Sequence, residues 1–364
     1  MKNILLISPS PNLAGGISKW TKHILCFFEK ENECAVELLP IKNGYINHTN
    51  KNSWGTRIRR GFFLYFDILI QLKNKLKLKK YSSIHLSTSA SISLIKDYFI
   101  LKLANKNKIP SILHFHFGRI PELYNKNNWE WKLLLHLIKL STKTVVIDKF
   151  SLDVLINLNI KNVYFIPNPI GNEVLKIINK NKNHIIASPK DIVFVGQLIH
   201  NKGIFELVEA CKDIPNIKLK MFGSSNDVVE KKLKEKAGIN NNWLEIYGET
   251  DYETVIKNMM SAGVFVLPTY TEGFPNVILE SMACSCPIVT TNVGAIPEML
   301  NTQSDTEQCG IVIKPRNVEQ LKNAILTMIN DRKFALLCGE NAKNRVLKLY
   351  SIDSVANQWK ELWN

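Results

Sequence analysis

Two glutamates, Glu272 and Glu280, stand eight positions apart around Gly273-Phe274-Pro275-Asn276-Val277. A proline costs nothing in the first turn of a helix, where its missing N–H would be unpaired anyway, so Pro275 predicts a helix start. The amides of Asn276 and Val277 then lack acceptors at the positive end of that helix, which suits a phosphate. Glu280 falls about a turn further on. Ionised, it is acceptor-only and able to bind two adjacent hydroxyls. A diphosphate flanked by vicinal diols on both sides is a sugar nucleotide. A single such pair reads as readily as a solvated loop before a core helix; its surroundings reverse that.

Three other stretches carry chemistry. Ala14-Gly15-Gly16-Ile17-Ser18 opens an expected helix, and its glycines let a backbone approach a phosphate closely, although a plain tight turn uses the same residues. Gly196-Gln197-Leu198-Ile199-His200-Asn201-Lys202-Gly203 offers Lys202 as a point charge for a diphosphate, or as a solvated loop lysine. His114 and His116 lie two apart and share a face if a strand runs through them. No third ligand of the right kind stands near them, which argues against zinc. A core histidine satisfied by a backbone carbonyl is the alternative.

Positioning these residues requires strands that end just before them. Short runs rich in Ile, Val and Leu recur at 3–8, 35–39, 83–86, 111–115, 144–147 and 162–166, then at 191–196, 217–222, 244–247, 264–267, 287–290 and 310–313. Such runs, alternating with helix-length segments, predict parallel sheets covered on both faces. Two sets in series predict an α/β chain of two doubly wound domains. The expected organisation is a first domain over 1–168, a linker over 169–190 rich in Asn, Lys, Pro and Gly, a second domain over 191–345, and a C-terminal helix over 346–364 packing back on the first. In open α/β sheets ligands bind beyond the carboxyl ends of the strands. The glycines, Lys202, Glu272 and the paired histidines all fall there.

The chain has 364 residues, 45% hydrophobic, with a formal charge of +15. No run approaches ~18 apolar residues, so no membrane-spanning helix is expected. The opening apolar run, 2–7, is too short for a signal-peptide core. Seven cysteines without a C-x-x-C argue against disulfides and zinc, and fit a reducing cytoplasm. The charge is unevenly spread: residues 1–185 carry 28 Lys+Arg against 11 Asp+Glu, a balance of +17, while 186–364 carry 19 against 21, a balance of −2. The first half is therefore expected to face something anionic, a membrane surface or a phosphorylated acceptor, rather than nucleic acid. Residues 57–80, basic at both ends and aromatic-aliphatic in the middle, read as a membrane-surface patch or an ordinary packed helix. Trp129-Glu130-Trp131 is a second candidate.

This arrangement resembles the GT-B glycosyltransferases, specifically glycosyltransferase family 4. The resemblance covers most of the second half. Val195-Gly196-Gln197-Leu198 to Lys202-Gly203 looks like the family's V-G-R-L-x3-K-G. Leu267-Pro268-Thr269 through Glu280-Ser281-Met282-Ala283, and Pro287 to Thr290 with Val293-Gly294-Ala295-Ile296-Pro297-Glu298, look like its donor site. The first half matches more loosely, through Gly15-Gly16, His114-Phe115-His116 and Val163 to Asn168. The resemblance implies two Rossmann-like domains around a cleft, the second holding a nucleotide sugar and the first an acceptor. It also implies transfer with retention and no required metal or cofactor, the donor being UDP-linked. Glu280 would bind ribose hydroxyls, Glu272 the donor sugar and Lys202 the diphosphate. Gly196, Gln197, Gly223, Gly273 and the backbone of Phe274, Pro275, Asn276 and Val277 complete the donor set, with Gly15 and Gly16 from the first half. His116 is the residue expected to reach the donor sugar, with His114 second. Gln197 stands where the family commonly has arginine, which removes one diphosphate charge.

The expected function is a retaining glycosyltransferase of surface polysaccharide or glycolipid assembly. It would act on a saccharide or lipid-linked acceptor at the inner face of the cytoplasmic membrane. A sugar-nucleotide epimerase of related fold, and a degenerate non-catalytic binding subunit, are the alternatives.

Overall fold

The computed structural model describes residues 2–13, 15–41, 54–304 and 306–364, with the backbone alone for 54–65. The chain divides into two compact units: Met1–Pro167 with Val355–Asn364, and Asn168–Ser354. In the first unit the strands are β1 (Lys2–Pro9), β2 (Cys34–Ile41), β3 (Ser83–Thr88), β4 (Ser111–Phe115), β5 (Lys143–Val146) and β6 (Val163–Phe165). They pair in parallel in the order β2-β1-β3-β4-β5-β6. The second unit has β7 (Ser188–Val195), β8 (Lys218–Phe222), β9 (Leu244–Gly248), β10 (Ala262–Leu267), β11 (Ile288–Thr291) and β12 (Ile311–Ile313). Their order is β12-β11-β10-β7-β8-β9, again all parallel. Each apolar run singled out in the sequence overlaps one of these strands. Helices cover both faces, so β3 and β10 are buried at every residue and show no alternation.

Both sheets reverse direction once. In the second, the chain lays β8 and β9 on one side of β7 and then crosses to lay β10 on the other. The carboxyl ends of β7 and β10 therefore form a topological switch point, where open α/β sheets bind ligands. In the first, β1 and β3 are the equivalent pair.

One segment departs from the sequence reading, and the C-terminal helix expected over 346–364 returns to the first unit but begins at Ile352. Within the expected linker, Asn172–Asn181 is a helix of the second unit. Its Asn and Lys residues conceal an apolar stripe: Val174 and Ile178 are buried, and Lys180 and Asn181 bond Glu253 at 3.2 and 3.3 Å. At the other end, helix Ile352–Trp363 starts in the second unit and from Val355 packs with the first. There Trp359 and Trp363 are buried, the Trp363 indole donates to His85 Nδ1 at 3.3 Å, and Lys360 pairs with Glu31 at 2.5 Å.

Candidate functional site

In the second unit the turns after β7 and β10 are sewn together by the backbone. Tyr270 N–H donates to the Asn201 carbonyl at 2.9 Å, and Thr269 Oγ1 to the same oxygen at 3.3 Å. Gly203 has φ +69°, and a Cβ there would lie 2.0 Å from the Pro268 carbonyl oxygen, so only glycine allows the approach. Within this frame Lys202 Nζ meets Glu272 Oε1 at 2.5 Å, with the two side chains 25% and 13% exposed. Expected to serve separately, at the diphosphate and at the donor sugar, these two residues form one ion pair.

The neighbouring turns complete the switch point. Gly196 N–H donates to the Phe222 carbonyl at 2.9 Å, and a Cβ on Gly223, at φ +137°, would meet the Gly196 carbonyl oxygen at 2.0 Å. Gly223 thus serves close packing of two strand ends. Gln197 is exposed beside them. Ala295 N–H donates to the Gly273 carbonyl at 2.9 Å, which ties the turn after β11 to the glutamate turn.

Helix Asn276–Ala283 follows that turn. Pro275 is its N-cap, with φ −72° and ψ 116°, one place earlier than the first-turn position expected from the sequence. Asn276 and Val277 therefore open the helix, with their amides at its positive end. Phe274 is buried edge-on to Tyr350 at 5.5 Å, and its carbonyl accepts from Asn168 Nδ2 at 3.2 Å. Glu280 is only 4% exposed, and its Oε1 accepts from the Tyr252 hydroxyl at 2.9 Å. Burial, with the Glu280 carboxylate next, pushes the Tyr252 pKa far above its usual value, so the phenol keeps its proton and donates.

Nothing in the sequence marked Tyr252 as a partner of Glu280, because the two residues stand 28 positions apart on different helices. Arg316 was missed too; its guanidinium lies 4.5 Å from the Tyr270 ring centre, and Tyr270 donates to Glu206 at 2.5 Å.

In the first unit, Gly15 has φ +123° and caps helix Gly16–Phe28 just after β1. His116 lies at the end of β4, half-buried, its N–H donating to the Thr88 carbonyl at 3.0 Å and its Nε2 3.3 Å from Ser87 Oγ. Burial lowers its pKa to about 3. His114 is fully buried, 3.2 Å from His85 and packed between Trp20 and Trp359. It is a core residue, which removes it as second choice for contact with a substrate. Among the described residues, no three His, Cys, Asp or Glu side chains are grouped to hold a metal.

Comparison with solved structures gives the architecture. Sucrose-phosphate synthase from Thermosynechococcus elongatus superposes with a TM-score of 0.78 over 100% of this chain and 98% of its own, at 18% identity. Anabaena HepE, solved in complex with UDP, gives 0.72 over 100% and 99%, at 16%. The fold is GT-B. Residues 176–345 match the family Glycosyl transferases group 1, so this GT-B chain carries a glycosyltransferase domain in its second unit. The capsular polysaccharide biosynthesis glycosyltransferase CapM of Staphylococcus aureus is 29% identical over 195 residues, 51% of this chain and 49% of CapM. The chain spans about half the length of the curated relatives it matches.

Proposed function

We propose that this GT-B protein transfers a sugar, with retention of configuration and without a required metal, from a UDP-linked donor to a saccharide or lipid-linked acceptor. The acceptor belongs to surface polysaccharide or glycolipid assembly, on the cytoplasmic side of an anionic membrane. On this reading the chain is a member of glycosyltransferase family 4. The observation that carries the reading is the pairing of Lys202 with Glu272 at the β7/β10 switch point, ahead of the helix that bears Glu280. Lys202 and the Asn276 and Val277 amides supply positive charge where a diphosphate would leave. Glu280, which accepts from Tyr252, is an acceptor-only carboxylate of the kind that takes ribose hydroxyls. An arriving diphosphate competes with Glu272 for the ammonium and releases that carboxylate to accept from the donor sugar. UDP in the solved structure of HepE and the capsular role of CapM support the donor and acceptor classes.

Calorimetric titration with UDP, GDP, ADP and CDP in EDTA tests it. One nucleoside diphosphate should bind, and Glu280→Gln should weaken that binding. If none of the four binds, the donor assignment fails. Binding without donor turnover would leave the non-catalytic alternative.

A further inference from the structure

Three helices of the first unit lie side by side against one sheet: Trp54–Leu78, Ser93–Lys106 and Trp129–Leu140, the middle one packing on both others. They lead into β3, β4 and β5 of a parallel sheet, so they run in the same direction. Their outward residues are large and apolar. Phe66 and Ile70 stand on the first, Ile95 and Phe99 on the second and Trp129 on the third, each between 44% and 62% exposed. On each helix the apolar residues precede exposed lysines: Lys73 and Lys77, Lys102 and Lys106, Lys132 and Lys139. One face thus carries an apolar band bordered by a cationic band.

The carboxylates of the second and third helices are turned inward. Asp97, the one acid of Ser93–Lys106, is fully buried, accepting from Thr88 Oγ1 at 2.5 Å and pairing with buried Lys96 at 2.6 Å. Glu130, the one acid of Trp129–Leu140, accepts from Ser91 N–H at 2.8 Å and pairs with Arg119 at 3.3 Å. The exposed stripes of these two helices therefore present lysine as their only charge besides their apolar side chains. Apolar side chains beside unneutralised lysines match an anionic lipid interface, which takes the former into its acyl boundary and the latter at its headgroups.

We infer that this three-helix face docks the protein on an anionic lipid bilayer. The inference extends the proposed action on a lipid-linked acceptor and rests on that reading for the acceptor alone. It moves the contact away from residues 57–65, whose side chains lie outside the described residues, and onto the Ser93–Lys106 helix, which the sequence did not single out.

Flotation of the full chain with phosphatidylcholine vesicles, with and without phosphatidylglycerol, tests it. Wild type should float with the phosphatidylglycerol vesicles, less so at high salt, and stay behind with neutral ones. Ile95→Glu with Phe99→Glu should abolish flotation. Lys102→Glu with Lys106→Glu and Lys132→Glu should weaken partitioning on the order of 100-fold, given about 1 kcal/mol for each cation near such a surface. A control, Lys231→Glu with Lys232→Glu and Lys234→Glu on the second unit's exposed helix Asp227–Ala237, should float as wild type does. Equal flotation of all variants, equal loss in the control, or flotation with neutral vesicles alone would overturn the assignment. Donor hydrolysis, measured on the same preparations, separates the two readings. Hydrolysis without flotation overturns the surface alone; flotation without hydrolysis supports the surface and removes the transferase.

Discussion

Glu280 is a buried carboxylate that accepts from the phenol of Tyr252. Its position on the first turns of a helix follows from Pro275 and the apolar run behind it, but its orientation comes from Tyr252. Glu280→Gln retains an oxygen for the Tyr252 hydroxyl and loses the charge. It should fold normally and weaken nucleoside diphosphate binding by about 1–3 kcal/mol, the scale of a hydrogen bond to a charged group. Tyr252→Phe leaves Glu280 charged and removes one bond that orients it, so it should weaken UDP more than 2′-deoxy-UDP in the same titration. Equal loss for both would mean that Tyr252 supports the helix and not the ribose contact. Lys202→Ala should lower kcat/KM more than it weakens ground-state nucleotide binding, because charge builds on the leaving diphosphate in the transition state. An unchanged kcat/KM would pass that role to another cation, and Arg316 stands beside Tyr270.

Elements place these residues through backbone contacts that admit no side chain. Gly203→Ala forces a Cβ to 2.0 Å from the Pro268 carbonyl oxygen, at φ +69°. It should destabilise the second unit by about 1–3 kcal/mol and lower donor turnover through Lys202, as thermal denaturation and donor kinetics would report. In the first unit the histidine-tryptophan cluster joins β3, β4 and the C-terminal helix. Burial holds His116 at about pKa 3, and His85 and His114 also lie well below the usual histidine range. Unfolding lets each titrate near 6.5, so below that pH the unfolded chain binds more protons than the folded one. Stability is full above pH 6.5 and should fall as pH drops from 6.5 toward 3, by up to about 1.4 kcal/mol per pH unit for each histidine. Denaturation followed by the fluorescence of Trp20, Trp359 and Trp363 measures it, and His116→Gln should flatten the slope. An unchanged slope would mean that His116 protonates without unfolding.

Across the whole molecule, the sequence made the repeated strand-helix order legible, since every strand is a compact apolar run between turn residues. The glutamate turn, Lys202 and the glycines were legible because their chemistry is local. What stayed hidden was contact between distant positions. The Lys202–Glu272 pair depends on β7 and β10 becoming neighbours, and the Tyr252–Glu280 bond on two helices packing together. The buried role of His114 depends on a C-terminal helix more than 200 residues later. Helix Asn172–Asn181 was hidden by its polar face, which looks like a linker in composition. The charge split between the halves was plain, while the surface that expresses it needed the structure, because inward-turned Asp97 and Glu130 leave lysines as the only charges on two of its helices.

Slow hydrolysis of sugar nucleotides in excess EDTA tests the central claim most directly. Wild type should hydrolyse one member of a panel of UDP-, GDP-, ADP- and CDP-linked sugars, most readily a UDP-sugar. Lys202→Ala and Glu280→Gln should each lose most of that activity while remaining folded. Hydrolysis of no donor, or hydrolysis that appears only on adding Mg2+ or Mn2+, or activity untouched by both substitutions, would contradict the assignment of the β7/β10 switch point as a metal-free donor site.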